Sequence, residues 1–150
     1  MAYSGPSNKA TSDLVTAAHW NQDVVANIVA LADGVIIVTI DGNGSVPSTG
    51  IIARLSVPKP LTITQVTLLA DVSGSIVLDI WKDSFANYPP TVADTITASA
   101  KPTLSGAIKS QDGTLTGWTT SLNSGDTIFV KIDSIATITY CTMMLKVKQA

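Results

Sequence analysis

Hydrophobic and polar positions divide the chain into two regimes. Between Thr16 and Gly34, Ala17, Trp20, Val24, Ile28 and Leu31 recur at three- and four-residue steps. That is the period of one helix face. Thr16 suits an N-cap and Gly34 a C-terminal stop, so the pattern predicts a helix over Ala17–Ala32. Met1–Lys9, with Gly5-Pro6, reads as a polar arm. After Gly34 the period drops to two.

Strands are predicted at Val35–Ile40, which ends in the turn Asp41-Gly42-Asn43-Gly44, and at Ile51–Val57, which Pro58 and Pro60 stop. Leu61–Asp71 and Ser75–Trp81 read as a hairpin turning at Ser73-Gly74. In its second arm Ile76, Leu78 and Ile80 oppose Val77, Asp79 and Trp81 across a sheet. Thr114–Leu122 reads as a strand, and Asn123–Asp126 as a turn. In Thr127–Asp133, Ile128, Val130 and Ile132 alternate with Phe129, Lys131 and Asp133. In the last strand, Ala136–Lys148, Cys141, Met143, Leu145 and Val147 face one way, and Lys146 and Lys148 the other. Each strand needs its apolar face covered, so the expected fold is mainly β. It is an antiparallel β-sandwich, jelly-roll-like, preceded by an arm and one α-helix. The division is 1–34 for arm and helix and 35–150 for the sandwich.

Composition agrees. Hydrophobic residues make up 45% of the 150 residues and charged ones 13%, about half the usual share of roughly 25%. Every acidic residue is Asp, which favours caps and turns over helix interiors. Arg54 is the only arginine and the net charge is -2, so no basic footprint for nucleic acid is expected. No signal-peptide pattern and no apolar run of membrane-spanning length is read, which implies a soluble protein made in a cytosol.

Residues Tyr88-Pro89-Pro90 open a long Thr-, Ser- and Ala-rich excursion to Ser105. The prolines remove two backbone donors and favour extended backbone at Tyr88. The excursion reads as a sandwich crossover with a short edge strand near Thr95-Ile96-Thr97, offering a surface to a neighbouring copy.

Candidate chemistry is sparse. His19, the only histidine, sits beside Trp20 in the predicted helix, far from a plausible triad. Asp79 and Asp83 fall on one strand face about 13 Å apart, without the flanking geometry of a glycosidase, and read as a solvated face. "DGNGS", Asp41–Ser45, opens like a calcium loop but has Val46 and Ile52 where Gly and Glu belong, so a tight turn is expected. No metal, cofactor or catalytic residue is assigned. Cys141, alternating with apolar neighbours, reads as a buried thiol. Trp81, Tyr88 and Trp118 fit two readings: a glycan-stacking platform, or rings sealing the sandwich ends or an interface. Ala17, Trp20, Val24, Asn27, Ile28 and Leu31 form a stripe that fits two readings: an oligomer or docking seam, with Asn27 setting register, or a cover for the chain's own sandwich.

The stretch from "LLADVSGSIVLDIWKD" through "YPPTVADTITASAKPTLS" to "TLTGWTT" and "GDTIFVKIDS" strongly resembles a domain recurring in bacteriophage tail-fibre, receptor-binding and head-decorating proteins. With "DGNGS" and "TGIIARLSVP", the resemblance covers about Ile40 to Lys148. "TAAHWN" resembles a segment placed before such domains. The resemblance implies a non-enzymatic β-sandwich on the virion surface, commonly a homotrimer, made in the bacterial host cytoplasm. Its partners would be other virion proteins of capsid or tail and host-surface polysaccharide, with no nucleic acid and no membrane insertion. The short chain, without shaft or repeats, favours a compact unit seated directly on a capsid or tail.

Overall fold

The structure, a computed structural model, describes residues 33–150. The predicted arm and helix, including Ala17, Trp20, Val24, Asn27, Ile28 and Leu31, lie outside them. From Gly34 on the chain is mainly antiparallel β: β1 (Gly34–Asp41), β2 (Gly50–Ser56), β3 (Leu61–Ser84), β4 (Thr103–Asp112), β5 (Ser121–Leu122), β6 (Asp126–Ala136) and β7 (Tyr140–Gln149). Short 3-10 turns at Phe85–Asn87 and Val92–Asp94 interrupt the segment between β3 and β4.

The strands form one curled sheet in the order β1-β7-β3-β6-β2, with β4 and β5 also paired to β3. The 24-residue β3 makes the curl. Its first half pairs with β7, from Leu61↔Gln149 to Ala70↔Cys141. Its second half pairs with β6, from Ser75↔Ala136 to Ser84↔Asp126. β4 follows β3 around the bend, with register shifts between Leu69 and Gly74 and between Gly74 and Ile76. Two arms therefore face each other across one core, which makes the architecture a β-sandwich class.

Alternation places that core. Val38 and Ile40 of β1, Ile128, Val130 and Ile132 of β6, and Met143, Leu145 and Val147 of β7 are buried in one cluster with Ile76, Leu78 and Ile80 of β3. A register shift between Ile63 and Gln65 moves the inward set of β3 from Leu61 and Ile63 to Val66 and Leu68. One extra residue reverses the side-chain phase, because the period is two.

Three elements differ from the pattern-based expectation. Leu61–Trp81 is not a hairpin but part of one bent strand. Gly74 does not supply a turn. A Cβ there would lie 2.6 Å from Ile138 Cγ1 and 2.7 Å from the Ala136 carbonyl oxygen. Glycine instead lets the bend pack against the β6–β7 connection. Thr114–Leu122 is a strand only at Ser121–Leu122. Leu115 and Gly117 have φ of 50° and 75°, and Asp112 Oδ1 accepts from the backbone N–H groups of Thr114 and Leu115, so the chain turns there. β4 buries Leu104 alone, which leaves no hydropathy alternation to announce it.

Candidate functional site

Asp79 organises the end of the molecule where the Tyr88–Ser105 excursion lies. It is 1% exposed, although it sits on the outer side of β3, opposite Leu78 and Ile80. Its Oδ1 accepts hydrogen bonds from the Thr95 hydroxyl at 2.6 Å and the Thr97 hydroxyl at 2.8 Å. Its Oδ2 lies 3.0 Å from Lys101 Nζ. Lys101 in turn reaches Asp133 Oδ2 at 2.7 Å, and Asp133 also pairs with Lys131. Asp79 Oδ2 and Trp81 Nε1 lack a well-aligned hydrogen bond of their own, but the indole N–H stabilises the same carboxylate. Burial, the largest single influence, raises the Asp79 pKa. The combined donation from Thr95, Trp81, Lys101 and Thr97 outweighs it and holds the carboxyl at about 2. The Lys101 pKa is raised, first by Asp133 and then by Asp79.

This network explains the polar excursion. Thr95 bridges to Trp81 as a short edge pairing. The Ile96 N–H donates to the Ile80 carbonyl, and the Leu78 N–H to the Pro102 carbonyl. The excursion thus fills the open edge of β3 before β4 begins, with Ile96 buried beneath it. A buried carboxylate that receives several donors is satisfied, whereas an unpaired one is costly. Asp79 is therefore an anchor, not part of a solvated face. Asp83, by contrast, is only partly buried and accepts from the Ser84 N–H at the end of β3 and from Asn87 Nδ2 in the following turn.

Beside the anchor runs a row of rings. Phe129 is the register partner of Trp81 on one side and of Arg54 on the other. The Arg54 guanidinium lies 5.2 Å from the Phe129 ring centroid. Tyr88 packs edge-on against the same ring, with centroids 5.6 Å apart at 76°. Lys131 Nζ stands 5.8 Å from the Trp81 ring centroid, within cation–π range. Tyr88 remains 51% exposed, Phe85 76% and Val92 65%.

Of the three sequence-proposed rings, Trp81 and Tyr88 thus meet through Phe129. Trp118 does not join them. It is a core residue, and its indole N–H donates to the Ala100 carbonyl at 2.8 Å. That corrects its place on an outward platform: the turn at Leu115–Gly117 directs it inward. Sequence reasoning missed Arg54 and Phe129 as ring partners and Phe85 as an exposed ring. Their proximity depends on register between distant strands. The only signal was the alternation that set Phe129 opposite Ile128 and Val130.

The remaining candidates are quiet. Asp41 Oδ1 accepts from the Asn43 N–H at 2.7 Å, and φ is 52° at Asn43 and 81° at Gly44, so "DGNGS" forms a tight turn. Among the described residues no cluster of His, Cys, Asp and Glu has the makings of a metal site, and no helix is long and apolar enough to cross a membrane. Cys141 is fully buried, and burial pushes its thiol up to about 11.

No family model and no curated protein matches the chain. Among solved structures, a chain from "Structure of infectious bursal disease virus Gx strain" is similar at 13% identity with a TM-score of 0.29. The match covers 79% of this chain and spans 37% of that one. A TM-score that low establishes neither a shared fold nor a shared role.

Proposed function

We propose that the chain is a non-enzymatic structural protein of a bacteriophage virion, displayed on the particle surface as a capsid decoration or a short tail or fibre component. It is made in the bacterial host cytoplasm, assembles as a homotrimer and docks through its N-terminal region. The observation that carries this reading is the use made of the motif residues. "DIWKD" and "TITASAKP", which resemble the phage virion domain, supply Asp79, Thr95, Thr97 and Lys101 to one anchor. The motif serves the framework, and its buried carboxylate, Asp79, is occupied by internal donors. Such a scaffold suits a protein whose task is to persist on a surface. Particle association tests the proposal. Virions encoding the chain, banded in a density gradient, should contain it, and light scattering of the purified protein should give about three times 15.6 kDa. A variant lacking residues 1–27 should fold but stay out of the virion band. A chain absent from purified virions overturns the reading.

A second reading has its own observation. Phe85 and Tyr88 are exposed, and Tyr88 packs on the Phe129 ring that the Arg54 guanidinium also approaches. Exposed rings flanked by polar donors suit stacking on host-surface glycan. Binding to host polysaccharide that is lost in Tyr88→Ala, with the fold intact, would favour this role.

A further inference from the structure

The two ends of the sheet path, β1 and β2, have no second strand partner among the described residues. Between them runs a groove of about 340 Å³ whose walls include Ile36, Leu55, Val57, Leu61, Ile128 and Val147. These side chains come from both arms of the sandwich, so the groove opens directly onto the core. Apolar walls at an open edge call for a cover, and proteins commonly blunt such edges with a helix or loop.

The chain itself enters at this point. Asp33 and Gly34 line the groove, and Leu31 precedes Asp33 by two residues, a reach of at most about 7 Å. Leu31 and Ile28 belong to the apolar stripe of the preceding segment. A tethered segment this close faces the groove at high effective concentration, far above that of any free partner. We infer that Ile28 and Leu31 of the same chain seat in the groove between β1 and β2 and close the sandwich there. The apolar stripe of the sequence would then be divided: Ile28 and Leu31 serve the chain's own core, and Ala17 and Trp20 remain for contacts elsewhere. This assignment does not rest on a role in a virion.

Disulfide trapping in the full chain tests it. Ser56 is exposed and lines the groove, so Ser56→Cys is mild. Cys141 is buried and stays in place as a silent thiol. Ser56→Cys is combined with Leu31→Cys in one protein and with Ile28→Cys in another, and circular dichroism confirms the β fold. Mild oxidation should convert most of at least one variant into an internally bridged monomer, shifted on a denaturing gel and restored by reductant. Bridges between chains would show that the groove takes a second copy's segment and overturn the assignment. Two folded variants that form no bridge would overturn it as well. Particle association is a separate readout, so failure here leaves the proposed function standing.

Discussion

The Thr97 hydroxyl donates to Asp79 Oδ1 at 2.8 Å across eighteen residues of chain. Between the two lie the Tyr88-Pro89-Pro90 corner and the first half of the polar excursion. The pair therefore closes a long loop with a short, buried, charge-assisted contact. Such contacts are stronger than neutral ones, and breaking a buried charge arrangement costs more than a surface pair.

Asp79→Ala should consequently lower stability by about 1–3 kcal/mol, since it leaves the Thr95 and Thr97 hydroxyls without their carboxylate acceptor while Lys101 keeps Asp133. Thr97→Val, similar in shape, should cost about 1 kcal/mol. Urea midpoints measure both, and the double variant should show strong coupling. Additive effects would mean that the two residues do not act together.

The acid limb of stability should carry the same signature. The folded Asp79 pKa, about 2, lies below the ordinary value of 3.8. A depressed carboxylate stabilises the fold above the ordinary value, and that contribution fades as pH falls from about 4 toward 2. The gap corresponds to about 2 kcal/mol. Chemical denaturation between pH 2 and 5 should therefore show the wild type losing more stability than Asp79→Asn. Parallel curves would remove Asp79 from the acid response.

Gly74→Ala should destabilise by about 1–3 kcal/mol through overpacking. The added methyl meets Ile138 and the Ala136 carbonyl at the bend of β3. Thermal unfolding reads the effect. Wild-type stability in this variant would mean that the bend does not press on the β6–β7 connection.

The two aromatic classes should separate cleanly. Trp118→Ala opens a core cavity and frees the Ala100 carbonyl, at about 3–5 kcal/mol. Tyr88→Ala removes an edge contact with Phe129 worth about 1 kcal/mol. Stability measurements on both variants test this, and only the Tyr88 change is suited to probing ligand binding.

Much of the fold was legible in the residues. Period-two alternation marked β6, β7 and the second arm of β3 and their inward faces, because burying one side of a strand leaves a direct trace in hydropathy, and turn and proline signals bounded β1 and β2. The edge pairing at Thr95 and the buried thiol of Cys141 were legible in the same way. The Asp79 anchor was not. An aspartate on the outer side of a strand reads as solvated until something covers it, and the cover comes from Thr95, Thr97 and Lys101 far along the chain.

The sequence by itself determined the β class, the inward faces of β6 and β7 and the tight turns at Asp41–Gly44 and Asn123–Asp126, since these follow from local periodicity and backbone preference. Only the tertiary structure decided that Leu61–Ser84 is a single bent strand, that Trp118 turns inward, and that Tyr88 and Trp81 meet through Phe129. Each of those outcomes depends on contacts between residues distant in sequence. Pairing register and close backbone approach, as at Gly74 beside Ile138, set them, and neither leaves a periodic mark along the chain.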